Sequence, residues 1–501
     1  YCMHTGAYFL KMEDFFKHVE ANRELYIERL REAVAIQSVS SDAARRNDCF
    51  RMVDYYMEKM KELNIDCEKR CLGMQSENLE LPPVLLGRLG NDPAKPTICA
   101  YGHLDVQPAQ MSDGWHTDPF ELTLVPSTPE QDEQDGYGTV FPTGGHLLGR
   151  GSSDDKGPAL SWLYVVEAYQ KLNKELPCNL LFLVECMEES GSVGLDDVVV
   201  KEFAKDGYLF AADAICVTDN YWLSQKKPAV QYGLRGICYF FLEISGLAKD
   251  LHSGKFGGAV QEPMADLMSV LSTLVENSTG KILVPGVNDL VKPLTEEESK
   301  LYDGLEFDLD GLKQVAGAKD LLHKGSTKEA LMHMWRFPSL SIHGVEGAHA
   351  APGAKTVIPS KVIGKFSIRL VPDMQPDDVE RMVRTHCEEV FNRLESPNSL
   401  NLYTEHGAPA FAGDPFDANY QAAKQANEIV YGVTPDFVRS GGSIPVTLTM
   451  QKTGRSVVLF PIGRGNDGAH GPNEKIDVNQ YISGIKLIGA YLESYAKGNA
   501  K

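Results

Sequence analysis

PTICAYGHLDV, residues 96–106, is an apolar run that closes on a histidine and an acid, His103 and Asp105. A short apolar run without polar alternation reads as a strand buried on both faces. Two later runs share its design. CNLLFLVE (178–185) closes just before Glu188-Glu189, and DAICVTD (213–219) closes on Asp219. Helical patterns lie between them, ALSWLYVVEAYQKL (159–172) and LDDVVVKEFAK (195–205). Strand, helix and strand in alternation predict an α/β fold with a mostly parallel sheet covered by helices. On such a sheet, functional groups gather beyond the carboxyl ends of the strands.

Working outward, residues 14–36 space their apolar side chains as one amphipathic helix, and PPVLLGRL (82–89) reads as another strand. A polar segment with prolines, 126–145, reads as an extended surface loop or hairpin. The pattern changes near residue 232. YGLRGICYFFLEISG predicts one long alternating strand, and 262–277 a helix. KVIGKFSIRLVP (361–372) is again alternating, 377–394 is an amphipathic helix, and SLNLYTEHG (399–407) is a strand. From about residue 416 the helix-then-buried-strand style returns. The chain is therefore expected to form a discontinuous catalytic domain, 1–231 and 411–501, interrupted by an α+β module, 232–410, that acts as a lid.

At 501 residues, with 43% hydrophobic and 24% charged side chains, the chain is globular and long enough for two domains. A net charge of -20 argues against nucleic acid or an anionic membrane as partner. No apolar stretch approaches the roughly 18 residues of a spanning helix. Ten cysteines are scattered without a CxxC pair, which excludes a zinc knuckle and fits a reducing, cytoplasmic setting. Met12 reads as a natural start, with residues 1–11 an extension.

Seven residues carry the chemistry. His103 and Asp105, at i and i+2, share one face of a strand, so the acid is placed to orient the ring. Asp154 follows the glycine turn GRGSS, and one carboxylate there could bridge two cations. Adjacent glutamates diverge, so one of Glu188 and Glu189 could bind a metal while its neighbour reaches a water beside it as general base. Asp219 ends a strand, and His470 sits in the loop GRGNDGAHGPNEK. Each has a plainer reading: a structural pair for His103 and Asp105, a charged helix start for Asp154-Asp155, a solvated acidic pair, a surface histidine. The convergence of all these groups on strand ends or glycine turns favours a binuclear metal site.

The strings YGHLDVQPA, GRGSSDDKGP, MEESGS, VTDNYW, YGLRGICYF, DLHSG, GAKTVIP, KFSIRLVP, GGSIPVT and DGAH resemble the carnosinase-type metallopeptidases, collinearly from about Met12 to Tyr495. The nearest look is the cytosolic non-specific dipeptidases and Cys-Gly dipeptidases. The resemblance implies two divalent ions, zinc or manganese. Asp154 would bridge them, with His103 and Asp219 on one and Glu189 and His470 on the other. Glu188 would be the base, Asp105 the orienting acid, and the bond after Asp154 cis. It further implies a homodimer through the lid, with His252 reaching across to stabilise the oxyanion in the other copy's site. Thr356, Arg369, His406 and Ser443 would hold a short peptide substrate, Arg369 clamping its carboxylate. One departure stands out: the family carries glutamate before GGS where this chain has Ser440. The expected activity is dipeptide hydrolysis. An N-acyl amino-acid amidohydrolase, a carboxypeptidase and a catalytically silent relative are the alternatives.

Overall fold

The computed structural model describes residues 2–134, 142–305, 307–323, 325–442 and 444–499. The chain divides into two compact units. The larger holds the chain up to Tyr232, Gly413–Val438 and everything from Pro445 onward; the smaller holds Gly233–Ala412 and Arg439–Ile444.

The larger unit is α/β. Its sheet runs in the order Asp66–Arg70, Val84–Leu89, Asn179–Glu185, Thr97–His103, Ala214–Val217, Ser456–Leu459, Ala229–Leu234. The four middle strands are mutually parallel, and antiparallel strands flank them. Thr97–His103 and Asn179–Glu185 are buried along their whole length, which is why their sequences lack polar alternation. Because the middle strands point the same way, their carboxyl ends lie along one edge. His103 ends the first, Glu188 and Glu189 follow the second, and Asp219 follows Ala214–Val217.

The expected helix over 14–36 is two helices, Cys2–Ala21 and Arg23–Val34. The break falls at Asn22, whose side-chain amide donates to the His18 carbonyl at 2.8 Å. That local bond competes with helical pairing while the apolar spacing continues across it. Flanking 126–145, Thr123–Val125 and His146–Leu148 pair as antiparallel arms, but Pro129–Gln134 between them is a short helix rather than extended chain. Residues 135–141 lie outside the described residues.

The smaller unit is a four-stranded antiparallel sheet in the order Ser339–Glu346, Lys361–Leu370, Gly236–Ser245, Ser399–Ala408. Gly236–Ser245 alternates buried and half-buried positions. Its inward Phe240, Leu242 and Ile244 pack with Phe366, Ile368, Leu267, Val270, Val379 and Val383 into a separate core. Helices Pro263–Leu271 and Pro376–Arg393 supply the last four of these. The single long strand expected from residue 232 is two strands, Ala229–Leu234 and Gly236–Ser245. The second can start only at a glycine: a Cβ on Gly236 would come within 2.3 Å of the Ala408 carbonyl.

Candidate metal centre

Asp154 is the hinge of the site. Its Oδ1 lies 3.1 Å from His103 Nε2, and its Oδ2 lies 3.2 Å from His470 Nε2. On the first side, His103 Nε2 is also 3.6 Å from Asp219 Oδ2; on the second, His470 Nε2 is 3.1 Å from Glu189 Oε2. Two triads result, His103-Asp154-Asp219 and Asp154-Glu189-His470, each with ligand atoms within 4.8 Å of one another. One carboxylate thus presents a different oxygen to each. The bond between Asp154 and Asp155 is cis.

The donor set suits divalent cations. Imidazole nitrogens and carboxylate oxygens are borderline to hard ligands, and the acids outnumber the histidines. Burial, with Asp154 and Glu189 nearby, pushes the Asp219 carboxyl up to about 7 although His103 opposes it. Burial likewise raises Glu188 well above the usual carboxylate range, His103 opposing while Asp219, Asp105 and Glu189 add to the rise. Burial would raise Asp154 too, but hydrogen bonds from His103 and His470 outweigh it and hold that carboxyl low. Hydrogen bonds to Asp154 and Glu189 push His470 up to about 10. So much negative charge in a closed space is the environment a cation relieves.

The surrounding side chains hold these groups in register. Asp105 is fully buried. Its Oδ1 and Oδ2 accept the backbone N–H groups of Glu188 (3.1 Å) and Glu189 (3.0 Å). It therefore fixes the glutamate turn as well as facing His103, whose Nδ1 is 3.1 Å from the Asp105 carbonyl and 3.5 Å from its carboxylate. Asp155 Oδ2 accepts the His103 N–H at 3.1 Å.

Three residues escaped sequence reasoning. Glu474, fully buried, accepts backbone N–H groups of Gly151, Ser153 and Asp154 at 3.0–3.1 Å. It also pairs with Arg150 at 2.8 Å. Arg150 in turn donates to the carbonyls of His470 (3.2 Å) and Gly471 (3.1 Å). The Asp154 turn and the His470 loop are thereby one unit. Gln107 donates to Glu189 Oε2 at 2.8 Å. The only signal for Glu474 was its place in the same glycine-rich loop as His470.

The remaining candidates belong to the smaller unit. His252 is exposed, and its Nδ1 accepts the Gly254 N–H at 3.0 Å. The neighbouring Ser253 N–H donates to the Thr356 carbonyl at 3.2 Å, as Leu251–His252 pairs with Val357–Ile358. Arg369 sits in its strand opposite Ile237 and Ser339 and is half-buried rather than enclosed. The Ser440 hydroxyl accepts the Gly442 N–H at 3.2 Å. Ser443 and the His406 side chain lie outside the described residues.

A parallel sheet with two cation triads sharing one aspartate at its edge defines a binuclear metallohydrolase. Residues 99–494 match peptidase family M20/M25/M40, and the chain belongs to that family. It is 47% identical over 495 residues to the Cys-Gly metallodipeptidase DUG1 of Candida albicans, covering 97% of this chain and 98% of that one. It is 42% identical over 493 residues to the human Beta-Ala-His dipeptidase, covering 97% and 93%. Among solved structures, the di-peptidase Dug1p from Saccharomyces cerevisiae superposes with a TM-score of 0.81 at 46% identity, over 97% of this chain and 98% of that one. Human carnosine dipeptidase 1 gives 0.80 at 42%, over 97% and 99%.

Proposed function

We propose that this chain is a metal-dependent dipeptidase that hydrolyses the peptide bond of Cys-Gly and similar short peptides. The observation that carries the reading is Asp154, whose two oxygens face two separate triads. Bound divalent cations would lower the pKa of a water toward 7 and polarise the amide carbonyl. The chain's own residues do the rest. Glu188, which belongs to neither triad, takes the water's proton and delivers it to the leaving amine. Asp105 holds the turn that carries Glu188 and keeps the His103 ring oriented.

Thr356, Arg369, His406, Ser443 and Ser440 are the proposed substrate-binding residues, and His252 the proposed oxyanion donor in a homodimer. The cations are proposed to be zinc or manganese, the setting the cytosol, and the role glutathione catabolism. Free thiols at the nine cysteines from Cys49 to Cys387 support a reducing compartment. Among the described residues no helix is long and apolar enough to cross a membrane.

The test is chelation followed by restoration with zinc or manganese, assayed on Cys-Gly, carnosine and Leu-Gly. Activity should vanish and return with the metal. Undiminished hydrolysis after complete metal removal would overturn the reading. Ser440 favours weighing one alternative, because it removes a negative charge where the substrate ammonium is expected. Ser440→Glu should raise kcat/KM for dipeptides with free amino termini and leave N-acetylated dipeptides unaffected. Faster turnover of the N-acetylated form by the unmodified chain would instead favour an amidohydrolase.

A further inference from the structure

A second histidine-carboxylate cluster lies in the smaller unit, on residues to which the hydrolytic reaction gives no role. His323, Glu329 and His333 place one ligand atom each within 4.8 Å of one another. Glu329 and His333 are four residues apart on the helix Thr327–Trp335, so they share a face. His323, from the segment before that helix, lays its ring on that of His333, with centroids 3.4 Å apart and planes 7° from parallel.

The surroundings fix this geometry. The Arg235 guanidinium donates to the His333 carbonyl at 2.8 Å, to the Phe337 carbonyl, and to the Ser339 hydroxyl at 3.0 Å. The last turn of the helix is therefore anchored from beneath. A Cβ on Gly325 would come within 2.4 Å of Glu329 Oε2, so that glycine leaves the carboxylate room to lie back over the segment carrying His323. The Ser326 hydroxyl caps the Glu329 N–H at 3.1 Å. A glutamate in the first turn needs no metal to explain it, since the helix dipole favours an acid there. The stacked imidazoles need more. Two rings in face contact cannot both carry charge cheaply, and burial together with His323 pushes His333 below its ordinary range. Two imidazoles beside a carboxylate make a ligand set for a borderline cation.

We propose that His323, Glu329 and His333 form a further cation site, distinct from the Asp154 centre, that takes a borderline transition-metal ion such as zinc. Two atoms bound to one such ion lie at most about 4.2 Å apart, twice a bond of roughly 2.1 Å. Ligand atoms within 4.8 Å of one another exceed that limit by at most about 0.6 Å, and the rings must also turn out of their stack, because each nitrogen lone pair lies in its ring plane. Two imidazoles and a single carboxylate suit zinc better than manganese or magnesium, which favour oxygen. Bound there, the ion staples the segment around His323 to the last turn of the helix. The site is structural and independent of catalysis.

The test uses the full chain, stripped with chelator, reloaded with excess zinc and freed of unbound metal. Zinc per chain is then measured by mass spectrometry for the unaltered protein, His323→Ala and Glu329→Gln. Each variant should hold one zinc fewer and keep its dipeptidase turnover. With the Asp154 centre first filled with manganese, which cobalt can partly displace, added cobalt should give a visible d–d absorption band stronger in the unaltered chain than in either variant. His323→Ala lies outside the helix, so its circular dichroism should match the unaltered chain. Equal zinc contents in all three proteins, or cobalt bands of equal strength in them, would overturn the proposal. The difference between proteins does not depend on how many ions the Asp154 centre holds, so failure here and failure of the hydrolytic reading are separable.

Discussion

Glu188 is poised differently from the acids around it. Its carboxyl is held well above the ordinary range by burial and by Asp219, Asp105 and Glu189, against His103, and a raised carboxyl is matched to shuttling a proton near neutral pH. Glu188→Gln keeps the shape and removes the base, so kcat should fall about 10²–10⁴-fold while metal content by mass spectrometry stays unchanged. A loss of metal equal to the loss of rate would make Glu188 a ligand instead. Glu474 acts one step back. Glu474→Ala would strand the buried Arg150 and the amides of Gly151, Ser153 and Asp154. Breaking a buried ion pair from one side costs about 3–5 kcal/mol. Urea unfolding should show a loss of that order, and Glu474→Gln a smaller one. These two glutamates differ in how far sequence reaches. Glu188 was readable because it follows a buried strand. Glu474 was not, because its partners are backbone amides some 320 residues away in the chain, and an amide has no sequence signature.

At the scale of elements, apolar runs were the most readable feature because burial on both faces leaves one composition. Thr97–His103, Asn179–Glu185 and Ala214–Val217 all fall within the runs expected for them. The breaks at Asn22 and Arg235 were hidden for the opposite reason: apolar periodicity continues through both, and only local hydrogen bonding or a close backbone approach ends the element. An ion pair joins the edge strand of the sheet to a helix. Arg70, on the flanking strand Asp66–Arg70, bonds Glu202 at 2.7 Å at the end of the helix Leu195–Glu202. Burial would raise Glu202, but Arg70 and the Tyr208 N–H outweigh it and lower its carboxyl. A carboxyl lowered by folding stabilises the fold above its unfolded pKa, and that contribution is lost as pH falls through the folded value. Glu202→Gln should therefore cost about 2 kcal/mol at pH 7, and the difference from the unaltered chain should shrink below about pH 4. Denaturant titrations of both proteins across that range would check it. A gap that does not change with pH would mean that the ion pair contributes nothing.

For the molecule as a whole, the metal centre is a cross-link between distant stretches of chain. His103, Asp154, Glu189, Asp219 and His470 are drawn from both ends of the larger unit, and none of those segments is tied to all the others by secondary structure alone. A cation that binds only the folded chain stabilises it by about 2.7 kcal/mol at a hundredfold excess over its dissociation constant. Chelation should accordingly lower the melting temperature by several degrees, and zinc or manganese should restore it. The size of that shift must depend on pH. Without metal, His470 titrates at about 10, because Asp154 and Glu189 hold its proton, so at pH 7 the ring is charged. Coordination needs the neutral ring, and each ion taken up on that side displaces a proton. Affinity then rises about tenfold per pH unit below that value, or about 1.4 kcal/mol of added stability per unit at fixed free metal. Melting curves at constant free zinc from pH 6 to pH 8 should show the metal-dependent shift growing, because the chelated protein loses stability once pH passes the unfolded histidine value and only the folded chain still holds the His470 proton. If the two curves moved in parallel, His470 would be neutral before the metal arrives, and its hydrogen bonds to Asp154 and Glu189 would not be the proton store described here.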